Sequence, residues 1–353
     1  MTEQENFMIK QTFPLKKLLI KGLSLVVILT ITSSIFLFAS SITSGNFPKL
    51  NQLKYPALGV AFFSLLLSWL VEGLRVKLIA VGLGEQISFI KLLGINLASS
   101  FTGNVTPFNS GGVPTQIFLL CRNGITPGKA GALVTIRMIV TTLLFTIVSP
   151  FLILFYHARF SFGKLRHVTT IAIPLAIILS IGLTIFIIKP KLASNLLLLI
   201  LNSLKLGRLG HKIESYLERL TLEAEIFQRS IKEFRNWTNI ILVFLLTILY
   251  WILFFGIAPL LMYAFGLNPA GKITEIILLQ FILIFVLAYL PIPGGTGVME
   301  LSLYSVLVFI PLQFRAVFIF IWRFLSYYLS TFVGGVVLLK LLNSRIRSVA
   351  TPE

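Results

Sequence analysis

Uncharged apolar runs alternate with short basic segments along almost the whole chain. Runs long enough to cross a hydrocarbon core as a helix, roughly 20 residues, occupy Gly22 to Pro48, Val168 to Ile188, Asn236 to Gly271 and Ile276 to Met299. Shorter or charge-interrupted runs lie at Tyr55 to Val71, Ala130 to Tyr156 and Phe314 to Leu339. Two stretches behave differently. Apolar sequence from Ile87 to Phe101 is interrupted by Thr106-Pro107-Phe108-Asn109-Ser110-Gly111-Gly112-Val113-Pro114 and resumes from Gln116 to Cys121. Ile273 to Leu290 reaches Pro291-Ile292-Pro293-Gly294-Gly295-Thr296-Gly297, after which Met299 to Ile310 is too short to cross. Half-length segments joined by a Gly/Pro break predict re-entrant hairpins, whose broken backbone must face protein or a water-filled cavity.

Charge orients these elements. Lys10, Lys16, Lys17 and Lys21 place the amino terminus in the cytoplasm by the positive-inside rule, and Arg75 with Lys77 marks the inner end of the second span. Residues 189–237 hold nine Lys/Arg and read as a cytoplasmic segment. Within it Ile213, Leu217, Leu220, Ala224, Phe227, Ile231 and Phe234 recur at three-to-four spacing, so His211 to Arg235 is expected to be an amphipathic helix along that face. The last span ends at Lys340, Arg345 and Arg347, which returns the carboxyl terminus to the cytoplasm. The predicted fold is a single all-α polytopic membrane domain over 1–353, with about six full spans and two broken hairpins. Residues 18–156 and 168–341 then share one order of elements entered from opposite sides. That is an inverted-topology repeat, in which the broken helices meet near the midplane and form the substrate site. Pro107 before Gly111-Gly112 matches Pro291 before Gly294-Gly295, and Gln116 and Arg137 match Glu300 and Arg323.

Composition supports lipid as the solvent: 56% hydrophobic residues, 12% charged and a mean hydropathy of +0.94, where a soluble chain is about a quarter charged. The net charge of +18 reports topology and anionic lipid, since no basic cluster outside the membrane is interleaved with base-stacking aromatics. Nucleic acid is excluded as a partner. The first apolar run is too long and too late for a signal peptide and is expected to be retained. Cys121 is the one cysteine, aspartate is absent and three histidines are scattered, so no disulfide, metal site or cofactor is expected. Gly266 to Lys272 begins like a phosphate-binding loop, but Ile273 replaces the required Ser/Thr.

The two breaks, with Arg323 in the last span, resemble the flippase-like transmembrane family of the lysylphosphatidylglycerol synthases, the multiple peptide resistance factors. The resemblance covers about Lys10 to Arg345 and is carried best by Pro-x-Pro-Gly-Gly-x-Gly with Glu300 downstream. It implies a bacterial cytoplasmic-membrane protein that moves a polar, in some members aminoacylated, phospholipid between leaflets. The soluble domain that transfers lysine from aminoacyl-tRNA is not expected here. Two other roles stay open: a membrane partner or scaffold for a separate lipid-modifying transferase, docking through Lys191 to Arg235, and an enzyme of phosphatidylglycerol lysyltransferase type.

An arginine at the bilayer centre costs on the order of 3 kcal/mol on insertion scales, so Arg137 and Arg323 each need a partner. A phospholipid phosphate fits the guanidinium fork; the alternatives are snorkelling, or an ion pair with Glu72, Glu275 or Glu300. Glu300 is placed either to cap the half-helix after the second break or to pair with arginine. Thr106, Pro107, Gly111, Gly112 and Gln116 from the first break, and Pro293, Gly294, Gly295 and Gly297 from the second, complete the expected substrate-binding set. The site is expected to be one cavity faced by both arginines, with Glu300 at its edge.

Overall fold

The computed structural model describes residues 53–157, 222–223, 225–234, 236–287 and 292–349, together with isolated positions between 24 and 35. The expected spans over Gly22 to Pro48 and Val168 to Ile188, Pro291, and most of the 189–237 segment lie outside the described residues. The bundle's helices are α1 Tyr55–Gly82, α2 Phe89–Asn104, α3 Gly112–Arg122, α4 Pro127–His157, α5 Trp237–Ala264, α6 Ile273–Leu287, α7 Val298–Val306, α8 Leu312–Arg323 and α9 Leu329–Val349. A π-helical turn, Phe324–Tyr328, joins the last two, and there is no strand among the described residues. Four stretches are long and apolar enough to cross a membrane: Tyr55–Gly82, Pro127–Val148, Trp237–Ala264 and Leu312–Asn343. The protein is an all-α, multi-pass membrane protein.

Between these spans lie the two expected breaks. α2 and α3 hold 16 and 11 residues, α6 and α7 hold 15 and nine, all short of a crossing. Three-residue 3₁₀ turns, Pro107–Asn109 and Pro293–Gly295, stand between the half-helices. The residues 225–233 of the expected amphipathic helix are helical. Phe227, Ile231 and the buried Phe234 pack into the bundle, which gives that part of the apolar stripe its partner.

The most extensive helix contact joins α1 to α5. Lys54 N–H donates to the Ala264 carbonyl at 2.8 Å, and at the other end Gly82 sits against Phe234 and Asn239, so the two helices run antiparallel. Each passes through two apolar cores. One gathers α2, α3 and α4 around Val76, Ile79 and Val243; the other gathers α6, α7 and α8 around Leu65, Ile257 and Leu261.

Polar side chains inside these cores repair backbone that helices cannot satisfy. Pro259 within α5 has no N–H for the carbonyl four residues earlier. That carbonyl, Phe255, instead accepts from Gln280 Nε2 at 3.1 Å, and Gln280 Oε1 accepts from Trp322 Nε1 at 3.1 Å. Arg315 is buried, and its guanidinium donates to the carbonyls of Tyr304, Val308 and Ile310 where α7 ends. From the first turn of α8, Arg315 thus closes the end of α7.

α2 packs on α9 through glycines. A Cβ on Gly334 would strike the Leu97 carbonyl, and one on Gly335 would lie 3.2 Å from the Phe101 ring. Small residues let helix backbones approach closely where no hydrophobic effect draws them together. Gly334→Ala must therefore push α9 off α2. Its melting temperature in detergent should fall well below wild type, whereas Gly256→Ala, at an open position, should leave it within error. Equal melting temperatures for all three proteins would refute the close-packing account.

Candidate functional site

Each break is built from the same local bonds. Asn109 N–H donates to the Thr106 carbonyl at 3.3 Å, and Gly295 N–H to the Ile292 carbonyl at 3.0 Å. Ser110 Oγ donates to the Pro107 carbonyl at 2.8 Å, and Thr296 Oγ1 to the Pro293 carbonyl at 2.9 Å. The middle residues have matching left-handed backbones, Phe108 at φ 56 and ψ 18 and Gly294 at φ 57 and ψ 13. Pro107 therefore corresponds to Pro293, not to Pro291 as the Gly-Gly pairs suggest. In this register an arginine follows the turn's proline by 30 residues in both halves, 107 to 137 and 293 to 323. The turns diverge immediately afterwards, for Gly111 has φ -77 and ψ -18 while Gly297 has φ 85.

The first break is braced from within. Thr106 Oγ1 donates to the Thr102 carbonyl and accepts from Gly111 N–H, both at 2.8 Å. A Cβ on Gly111 would lie 2.8 Å from the Thr102 carbonyl and one on Gly112 3.2 Å from that of Ser99. Gln116 is fully buried and donates to Asn96 Oδ1 at 2.7 Å. Thr106, Gly111, Gly112 and Gln116 thus hold α2 and α3 together.

The second break is braced by charge. Arg323 Nε donates to Glu300 Oε1 at 2.8 Å and Nη2 donates to the Gly294 carbonyl at 3.2 Å. Tyr328 donates to the same Glu300 oxygen at 2.9 Å, and Gly297 N–H donates to Glu300 Oε2 at 2.6 Å. Glu300 thus both caps α7 and neutralises Arg323. The Arg323 guanidinium also stacks over Tyr327, 4.2 Å from the ring centroid. Tyr327 fills the space beside Gly294, where any Cβ would strike its ring, and donates to the Asn104 carbonyl at 2.9 Å. Asn104 in turn donates to Thr331 at 2.7 Å. These bonds tie the end of α2 to the π-turn and α9, and the two breaks touch one another.

A cavity of about 320 Å³ opens at this junction. Its wall takes residues from α1, α2, α5, both breaks and the α8–α9 region, including Asn109, Gly294, Gly295 and Arg323. Among its described lining residues only Glu72 and Arg323 are charged. Arg137 does not line it. Its Nη1 donates instead to Glu72 Oε1 at 3.1 Å, and Arg75 Nη2 donates to the same oxygen at 2.9 Å. Arg75 Nη1 also donates to Thr141 and Thr247, each at 3.1 Å. Arg75 is therefore a buried member of an ion cluster, not a flank exposed at the inner membrane surface. Both arginines have the carboxylate partners named as alternatives, while Glu275 pairs with Lys272. Glu300, Gln116, Thr106, Pro107, Gly111, Gly112, Pro293 and Gly297 are not among the lining residues, and Pro107 is exposed.

Polar lining residues that the motifs do not flag are Asn96, Ser100 and Asn104 on α2, Tyr250 and Trp251 on α5, and Ser326 in the π-turn. The α2 residues recur at a spacing of four, one helix face, which is the signal that a search of that half-helix for a polar stripe would have used. Several buried polar atoms of the lining have no hydrogen-bond partner among the described residues: the Asn96 amide nitrogen, Trp251 Nε1, Ser326 Oγ, and Glu72 Oε2, which is ion-paired with Arg75 at 2.8 Å. Buried groups left in this state mark places where a ligand or water completes the bonding.

The model of the lysylphosphatidylglycerol synthase transmembrane region matches residues 19–334. The chain is 26% identical to a UPF0104 membrane protein of Archaeoglobus fulgidus over 324 residues, covering 89% of this chain and 94% of that protein. No solved structure matches. The match extends through both breaks and both arginines, and this protein belongs to the lysylphosphatidylglycerol synthase transmembrane-region family.

Proposed function

We propose that the protein is a phospholipid translocase of a bacterial cytoplasmic membrane, with both termini inside. The polar headgroup occupies the cavity between the two breaks while the acyl chains stay in lipid. The observation that carries this reading is the cavity itself: walled by the apolar helices α1 and α5 and by two discontinuous hairpins, and lined by an arginine and by polar groups without a hydrogen-bond partner among the described residues. Discontinuous helices meeting at the midplane are how transporters expose backbone and charge to a substrate without exposing them to lipid. Motion of one repeat, 18–156, against the other, 168–341, then alternates access. The Asn104–Tyr327 and Asn104–Thr331 bonds are among the contacts between the repeats that such motion would change.

The test is reconstitution of the purified protein into liposomes with headgroup-labelled phospholipids. Label should reach the opposite leaflet faster than in protein-free vesicles. Gly294→Leu, which overfills the space beside Tyr327, should abolish the gain. Wild-type rates no higher than those of empty vesicles, across the whole lipid panel, would leave a scaffold role as the better reading.

A further inference from the structure

The translocase reading leaves the ligand's charge open. Among the described residues, three guanidiniums, Arg75, Arg137 and Arg323, and two carboxylates, Glu72 and Glu300, line the cavity or pair with one another beside it. The Arg323–Glu300 pair is balanced. The Glu72 cluster is not, because a single carboxylate serves two arginines, leaving one positive charge in excess beside the cavity. The groups that surround that cluster, Thr141, Thr247 and Tyr250, supply no anion. If Glu72 took up a proton the excess would rise, so its sign does not depend on that titration. An uncompensated charge away from water is expensive, and a bound anion removes the excess. Most of the buried side-chain atoms without a hydrogen-bond partner among the described residues are donors: Trp251 Nε1, Asn96 Nδ2, Arg75 Nε and Ser326 Oγ, which can also accept. Two are acceptors, Gln116 Oε1 and Glu72 Oε2, the second ion-paired with Arg75 at 2.8 Å. A ligand rich in acceptor oxygens suits the donors, and a hydroxyl suits the acceptors.

We propose that the cavity selects a lipid with one net negative charge, a phosphodiester whose remaining headgroup is neutral and hydroxyl-bearing. Headgroups that carry a balancing or excess ammonium are disfavoured. The proposal rests on the translocase reading for its site, and fails separately from it. Arg137 acts from behind Glu72 as a positioning residue that sets the excess charge.

Two measurements test it. The first is melting of the detergent-purified protein with short-chain phosphatidylglycerol, phosphatidylcholine or lysyl-phosphatidylglycerol, and with glycerophosphoglycerol, which has no acyl chains. The second is translocation of labelled long-chain versions of the same three lipids in liposomes. Phosphatidylglycerol should stabilise at concentrations at least tenfold lower than either other lipid and should cross fastest. Arg137→Gln, which removes the excess charge, should bring phosphatidylglycerol and phosphatidylcholine to within about twofold; Arg137→Lys should keep the wild-type preference. Equal or tighter binding of phosphatidylcholine or the lysyl lipid to wild-type protein overturns the charge assignment, whether or not Arg137→Gln folds. Equal binding of glycerophosphoglycerol overturns the lipid assignment in favour of a soluble phosphodiester. Anion-selective binding with no lipid crossing supports this proposal and removes the translocase reading.

Discussion

Arg323→Gln should destabilise the protein by about 3–5 kcal/mol and abolish translocation, the cost expected when one partner of a buried ion pair is removed. Arg323 and Glu300 have side chains only 5% and 3% exposed, so a carboxylate stripped of its arginine cannot recover its hydration. Tyr328 and Gly297 N–H would remain as donors to Glu300, but neither carries charge. The Gly294 carbonyl and the Tyr327 ring would lose their cation at the same time, loosening the second break where it meets the first. Glu300→Gln leaves the opposite charge unpaired. The Arg323→Gln/Glu300→Gln protein should therefore melt at a higher temperature than either single variant, although without transport, because the guanidinium that lines the cavity is gone. Additive losses in the double variant would show that the pair is not the unit that stabilises the break.

The four described spans and both breaks were legible because lipid imposes them. A helix that must satisfy its own backbone needs an uninterrupted apolar run, and Pro with Gly in mid-run can only be a break. The breaks' correspondence was less legible. Glycines drew Gly111-Gly112 into register with Gly294-Gly295, yet the left-handed turn is made by Phe108-Asn109 in one half and Gly294-Gly295 in the other. A phenylalanine at positive φ is uncommon, and nothing in the sequence announces it. Carboxylate partners for the arginines stood only as an alternative to a phosphate, and among three glutamates, because the choice depends on which helices lie side by side. For the same reason Arg75, near the end of an apolar run, resembled an inner flank until Thr141 and Thr247 were seen to enclose it. The cavity donors belong to separate helices, and only packing brings them to one wall.

Glu72→Gln should cost as much as Arg323→Gln and with a different signature, since it leaves two cations and no anion. Arg75 Nη2 and Arg137 Nη1 bind one carboxylate oxygen at 2.9 and 3.1 Å, so the two nitrogens are at most about 6 Å apart. At an effective dielectric constant near 20, two unit charges at that distance repel by about 3 kcal/mol, and the lost attraction adds to it. Arg75 cannot swing away, held as it is by Thr141 and Thr247; Arg137, the more accessible of the two, bears the strain. Removing that second cation should then help: Glu72→Gln/Arg137→Gln should be more stable than Glu72→Gln alone, with a coupling of about 1–3 kcal/mol between the sites. The rescue should not extend to lipid choice. The double variant keeps Arg75 unpaired and so keeps one positive charge in excess, and it should still prefer an anionic lipid, whereas Arg137→Gln alone should not. Melting curves and the lipid panel together decide this. If the double variant is less stable than Glu72→Gln, repulsion between the arginines is not what the carboxylate relieves; if it loses the anionic preference, the excess charge is not what sets selectivity.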